Sequence, residues 1–455
     1  MELLNLIDFS VVKNFYPGGA KMKLPDKSPF RKYVTGNDTY VLLDNGKKTK
    51  YINFDNAATT PAFKSVLKKI NEFTPWYSSI HRGTGFKSQI SSREYEKART
   101  VIGEFVGTDS QNYDIIFVKN TTEAINKLAW QLRNYQPEKN IIISSEMEHH
   151  SNDLPWRDKY ITKYIKTDTK GILNLTDLEA KLLKYENKVK LVTITGASNI
   201  TGYINPIHKI ASLVHHYNSL LMVDGAQLIP HKKTNMNPSK IEKIDFMSFS
   251  AHKMYAPFGV GVLITPHKLL NREKPEYSGG GTVKLVTKNK VLWKKTPQKD
   301  EAGTPNIMGV IALAEAIKQL TRIGLNNISN YERKLTQYAS EKLRNIREIK
   351  IYRKLNNQKN IGIIPFNIKG LTHRKTAELL SKKAGIGVRN GCFCAQPYIQ
   401  KLLNISTKKI HNRIKNPKLS HPGMVRISFG MYNQKNEVNS LIIALKNIIK
   451  THCSK

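Results

Sequence analysis

Cysteine is scarce, with three in 455 residues, too few for a disulfide scaffold and suited to a reducing compartment. Long apolar runs are missing too: none approaches the roughly 18 residues that a membrane span needs. Met1 to Ser10 mixes Glu2 and Asp8 among apolar side chains and lacks the basic region and small-residue cleavage site of a signal peptide. A cytoplasmic protein without membrane contact is the expectation. Acid is also short, since 35 Asp and Glu stand against 73 Lys and Arg, a formal net charge of +38. A basic surface gathers phosphates. Here, however, clusters such as Lys47-Lys48 and Lys294-Lys295 are scattered, and no basic stripe interleaved with aromatics occurs. Lys, Asn and Ile are enriched along the whole chain, so compositional bias accounts for the charge better than a nucleic-acid interface. Internal repeats and low-complexity segments are lacking as well.

What is present is an ordinary globular composition, 40% hydrophobic and 24% charged, in a chain long enough for two or three domains. Residues 1–50 are rich in Lys, Gly and Pro and read as an N-terminal extension packing on the main body. Turn signals fall at Pro17-Gly18-Gly19 and at Asp44-Asn45-Gly46, the latter between Tyr40-Val41-Leu42-Leu43 and Tyr51-Ile52-Asn53-Phe54, which predicts a hairpin. Residues 51–320 form the expected large domain. Its short apolar runs near 115–118, 141–143, 191–194, 220–223, 244–249 and 260–264 read as buried strands. Between them, 122–133, 176–184 and 207–217 carry helical spacing. This alternation predicts a mostly parallel sheet covered on both faces, with the ligand beyond the carboxyl ends of its strands. Asp224, Glu148 and His149 all fall at such ends. Residues 266–305 are rich in turns and 306–320 helical. Residues 321–455 form the expected smaller α+β domain, with helices over 331–346 and 372–384 and strands near 349–351, 361–366 and 424–429.

Six stretches occur in order: Phe54-Asp55-Asn56-Ala57-Ala58-Thr59-Thr60, Asn120-Thr121-Thr122-Glu123-Ala124, Glu148-His149-His150-Ser151-Asn152, Val223-Asp224-Gly225-Ala226-Gln227, Ser250-Ala251-His252-Lys253 and Ala302-Gly303-Thr304-Pro305-Asn306. Together they resemble the class V aminotransferase superfamily and, within it, the group II cysteine desulfurases, over roughly residues 50 to 450. The resemblance implies a fold type I (aspartate aminotransferase-like) α/β architecture with a mostly parallel seven-stranded sheet, and pyridoxal 5'-phosphate (PLP) as cofactor.

It also implies roles. Lys253 is the lysine that carries the cofactor and moves protons. Asp224 pairs with the pyridine nitrogen, Gln227 with the phenolic oxygen, and His149 stacks on the ring. Thr121 and Thr122, opening a helix, are phosphate ligands at its N-terminus, a geometry compatible with a simple threonine cap. Ser250 and His252 are further phosphate ligands. Thr304 is the ligand given by a neighbouring subunit, hence a homodimer with shared active sites.

Val388-Arg389-Asn390-Gly391-Cys392-Phe393-Cys394-Ala395-Gln396-Pro397 decides the reaction. Arg389 offers a planar fork for an amino-acid carboxylate, with Asn199 as its partner. Cys394 aligns with the family nucleophile, whose thiolate takes sulfur from L-cysteine and leaves alanine and an enzyme persulfide. Sulfur transfer to an acceptor protein, as in iron-sulfur cluster assembly, would follow.

The chain departs from the family pattern twice. Cys392 stands where group II enzymes usually have histidine, so Gly-Cys-Phe-Cys is closer to the sulfurase domain of molybdenum-cofactor sulfurases. His81-Arg82-Gly83-Thr84-Gly85 resembles the substrate-side loop, with Gly85 where histidine is common. Cys392 is open to three readings: a resolving or relaying thiol, a metal ligand with Cys394, or a tolerated neighbour. The other ligands of a zinc site are lacking, and no metal is expected. Cys453, in the tail, reads as incidental. The expectation is a PLP-dependent cysteine desulfurase. Its rivals are another class V enzyme (a selenocysteine lyase, aminotransferase or epimerase) and a basic nucleic-acid-binding protein on an inactive scaffold.

Overall fold

A computed structural model describes residues 24–453, apart from 109, 268 and 354–359. The turn signal at Pro17-Gly18-Gly19 and the first part of the N-terminal extension lie outside the described residues.

The large sheet has seven strands in the spatial order Tyr113–Val118, Gly261–Pro266, Phe246–Ser250, Leu220–Asp224, Val189–Thr195, Ile141–Ser145 and Ile161–Ile165. Gly261–Pro266 runs antiparallel to both its neighbours, and all other pairings are parallel. The strands are apolar on both faces because helices cover both. Successive side chains of a strand point to opposite faces, so Ile115 and Phe117 enter one buried cluster while Ile116 and Val118 enter the other. The second cluster is closed by helix Thr121–Gln131 through Ala124, Ile125 and Leu128. On the first face, helix Ile307–Ile323 is buried along most of its length and packs on helices Phe86–Val106 and Lys64–Phe73.

A second sheet of four antiparallel strands runs Ile349–Ile351, Ile363–Ile368, Met424–Ser428, Arg389–Gly391, with helices Leu325–Arg344, His373–Ala384 and Lys435–His452 packed about it. Two backbone links tie it to the chain that leads into the large sheet. Ile52–Asn53 pairs in parallel with Ile386–Gly387, and Ser428 N donates to Phe54 O at 2.7 Å. These links bring the cysteine loop, which follows Arg389–Gly391, over the carboxyl ends of the large sheet.

Several elements differ from expectation. The hairpin forms, but its return strand is Lys48–Lys50 and not residues 51–54, because Ile52 and Asn53 are drawn into the pairing just described. The turn-rich stretch contains a second hairpin, Val283–Val286 with Val291–Trp293. Helices Lys64–Phe73, Phe86–Val106 and Lys435–His452 and the strand Ile161–Ile165 were not foreseen. No helix among the described residues is long and apolar enough to cross a membrane.

Candidate active site

The carboxyl ends of the large sheet and the cysteine loop enclose a cavity of about 570 Å³. Thr121, Thr122, His149, Asn199, Asp224, Gln227, Ser250, His252, Lys253, Arg389 and Cys394 all line it. Thr304 does not: it is exposed and lies outside this cavity, as does the loop His81 to Gly85.

At one end sits the N-terminus of helix Thr121–Gln131, whose first amides lack helical partners. The Asn120 side chain caps it by accepting from Glu123 N at 3.0 Å. Thr121 N donates to Ser250 Oγ at 2.9 Å, and the two hydroxyls lie 2.8 Å apart. Thr122 Oγ1 lies 2.6 Å from Ser151 Oγ. Strand and cap approach closely here, since a Cβ on Gly261 would fall 2.6 Å from Asn120 Cα. The hydroxyls, the His252 ring and the free amides suit a doubly charged phosphate.

Asp224 is buried at the end of its strand, and its Oδ1 accepts from Ala226 N at 2.9 Å. No second donor reaches this carboxylate among the described residues. Burial raises its pKa, while the Ala226 amide and the Lys253 amine pull it back. Lys253 ends the short turn Ala251–Lys253 and makes no hydrogen bond among the described residues. Burial pushes its amine below the usual lysine range, against the pull of Asp224. Gln227 spends one amide hydrogen on Ala57 O at 2.7 Å and keeps the other. A buried carboxylate short of a donor, a buried amine without a partner and a phosphate-type cradle around one cavity fit PLP.

His149 accepts from Ser151 N at Nδ1, 3.1 Å away, which leaves its ring proton on Nε2. Burial, then the Lys253 charge, pushes its pKa down to about 3, so the ring is neutral. Burial and then Lys253 also push His252 down, to about 4. Glu148 anchors this loop by accepting from Ser145, Asn152 and Thr195 N; burial lifts its carboxyl to about 8 against those donors.

At the opposite end the structure adds two residues that no motif reading singled out for a role. Arg426, in the buried strand Met424–Ser428, has a side chain only 3% exposed, whereas Arg389 beside it is 52% exposed. Asp55 bridges both, at 3.2 Å to Arg389 Nε and 3.2 Å to Arg426 Nη2. Arg426 Nη1 donates to Asn199 O at 2.9 Å, and its Nε, though buried, has no partner among the described residues. Burial lowers its pKa to about 10, with Asp55 opposing, so it stays cationic. Asn199 Nδ2 donates to Phe393 O at 2.8 Å, so Asn199 braces the cysteine loop and does not bond to Arg389. Cys394 is exposed and lines the same cavity as Lys253 and Arg426.

The class-V aminotransferase profile matches residues 52–441. The chain belongs to the class-V aminotransferase family. Members of this family in general depend on PLP. A curated cysteine desulfurase of Wigglesworthia glossinidia brevipalpis is 35% identical over 424 residues, 91% of this chain and 96% of that protein. The apo structure of cysteine desulfurase from Thermococcus onnurineus NA1 superposes with a TM-score of 0.79 at 31% identity, covering 88% of this chain and 95% of that one. The Escherichia coli cysteine desulfurase CsdA, solved in its S-sulfonic acid form, gives 0.76 at 26% identity with the same coverage. The expected fold type I architecture is borne out by these matches and by the sheet.

Proposed function

We propose that this protein is a PLP-dependent L-cysteine desulfurase of the group II type, cytoplasmic and homodimeric, converting L-cysteine to L-alanine with an enzyme persulfide on Cys394. One observation carries the reading: an exposed cysteine shares a single cavity with a buried, unpaired lysine and a buried, under-donated aspartate. The cysteine desulfurase relatives support it. In this reading residues 51–320 hold the cofactor and residues 321–455 supply the nucleophile.

PLP, when bound, supplies an electron sink for the substrate's α-carbon. Asp224 would keep the pyridine nitrogen protonated, since its remaining oxygen has no other donor. Thr121, Thr122, Ser250 and His252, with Thr304 of the partner subunit, would hold the phosphate; Gln227 would give its free amide hydrogen to the phenolic oxygen. The neutral His149 ring would stack on the cofactor. Lys253 Nζ, its pKa lowered by burial, is the base that takes and returns the substrate's α-proton. Arg426, with Arg389 beside it, would bind the substrate carboxylate, and Asn199 would hold the loop in place. Cys394 Sγ, its proton given up, then attacks the substrate sulfur: the new S–S bond forms, the carbon–sulfur bond breaks with its electron pair left on the β-carbon, that carbon takes up a proton, and alanine leaves. The sum, cysteine plus thiol giving alanine plus persulfide, needs no outside oxidant or reductant, and an acceptor protein would take the sulfur.

Cys394→Ala is expected to abolish alanine and persulfide formation while the visible absorbance of the bound cofactor is unchanged. Full retained activity would overturn the desulfurase reading.

A further inference from the structure

Beside the active-site cavity lies a second one of about 220 Å³, walled by Ile399, Ile405, Ile410 and Ile414 and edged by Arg413. Cys392 is the residue the two linings share. It is partly buried and packs against the core. A thiol at the wall between two cavities, two residues from the nucleophile, is placed to hand something from one to the other.

The loop backbone that carries both cysteines is held in place. Cys392 O accepts from Ala395 N at 3.0 Å, closing a turn whose central residues Phe393 and Cys394 have φ of 52° and 54°. Left-handed conformations of this kind are disfavoured for non-glycine residues and persist only where the surroundings enforce them. Here the enforcement is visible: Asn199 Nδ2 holds Phe393 O at 2.8 Å, His150 N holds Cys394 O at 2.6 Å, and the Arg426 guanidinium lies 5.0 Å from the Phe393 ring centroid. Moving the loop backbone to carry Cys394 to another site would break these contacts. Passing the sulfur to a neighbouring thiol breaks none.

We propose that Cys392 is a second sulfur-carrying residue, which receives the terminal sulfur of the Cys394 persulfide and releases it through the neighbouring cavity. The inference rests on the desulfurase reading. The Cys392 thiolate attacks the outer sulfur, a new S–S bond forms on Cys392, the old one breaks, and its electron pair leaves on Cys394 Sγ. The Cys392 proton ends on Cys394 or in solvent. No net oxidation occurs, and Cys394 is restored for the next substrate while the first sulfur is still on the protein. Attack on the inner sulfur would instead give a Cys392–Cys394 disulfide, which the one-residue spacing disfavours.

The test uses the whole cofactor-loaded protein. It is incubated with a few equivalents of L-cysteine per active site and no other thiol, alkylated, and digested so that Cys392 and Cys394 fall in one peptide, whose fragment masses locate the added sulfur. The expected result is added sulfur on Cys394 first and on Cys392 after it, with none on Cys392 in Cys394→Ala. Sulfur confined to Cys394 however long the incubation would overturn the relay and leave the desulfurase reading standing. Sulfur on Cys392 in Cys394→Ala would also overturn the relay, because Cys392 would then load directly. Alanine formation without sulfur on either residue would sink the proposed persulfide chemistry itself.

Discussion

Arg426→Ala separates two arginines that sequence alone cannot rank. Arg426 has five N–H donors; one goes to Asn199 O and one to Asp55 Oδ1, leaving its buried Nε and the rest of the fork for a carboxylate. A hydrogen bond to a charged group is worth about 1.5–3 kcal/mol. Losing a two-bond fork therefore costs about 3–6 kcal/mol, or roughly 10²- to 10⁴-fold in kcat/KM. The carboxylate lies away from the sulfur being transferred, so the same bonds exist before and during reaction, and the loss should fall mainly on KM. Arg389 is half-exposed and paired with Asp55. A pair of that kind contributes about 0–1 kcal/mol, so Arg389→Ala should cost no more than about fivefold. The assay is steady-state alanine formation over a range of L-cysteine concentrations. Cofactor absorbance and melting temperature would register collapse of the loop that Arg426 also supports. A kcat/KM for Arg426→Ala within about threefold of the wild type, or a larger loss in Arg389→Ala, would refute the assignment.

Asp224→Asn removes a buried charge that burial already disfavours; melting temperature without cofactor should hold or rise, while alanine formation falls roughly 10- to 150-fold, the worth of one charged hydrogen bond of about 1.5–3 kcal/mol. His149 has a folded pKa near 3 against an ordinary 6.5. The unfolded chain therefore binds more protons between those values, and stability present above pH 6.5 is lost as pH falls toward 3. His149→Gln should flatten the fall of melting temperature between pH 6.5 and 4, and an unchanged slope would count against the burial argument. Gly261→Ala forces a methyl to 2.6 Å from Asn120 Cα, so the phosphate helix must shift; weaker cofactor retention on dilution is the expected outcome, checked by absorbance.

Most strands were legible because a strand buried on both faces must be apolar at every position, as in Ile115 to Val118. Helix Phe86–Val106 was not, although its buried face, Ser88, Ser91, Tyr95, Ala98, Ile102 and Val106, has regular helical spacing. Two of its first members are serines. They are buried because Ser91 Oγ donates to Trp76 O at 3.0 Å and Ser88 Oγ to Ser79 O at 2.8 Å, partners that no local pattern announces. Strand Ile161–Ile165 failed for the opposite reason: it is an edge strand with only Ile165 fully buried, and need not be apolar throughout. The hairpin's return strand was misplaced because Ile52 and Asn53 answer to a pairing more than 300 residues away.

The site divides along the same line. Lys253, Asp224 and Gln227 belong to short strand-to-turn motifs, and contiguous sequence suffices to place each of them at a strand's carboxyl end. Arg426 belongs to no motif. It reaches the cavity because Met424–Ser428 is threaded between Ile363–Ile368 and Arg389–Gly391, with Arg426 opposite Arg389, a register fixed only once the whole second sheet has formed. One signal was nonetheless available in the sequence. Met424-Val425-Arg426-Ile427 is an apolar strand interrupted by a guanidinium, and a charge inside a buried strand requires a partner. Asp55 and the Asn199 carbonyl supply part of that partnership, and the donors they leave free are what the substrate carboxylate would take. A lone arginine in a core strand is thus as informative as a motif, because burying it without a ligand or a counter-charge would cost more than the strand contributes.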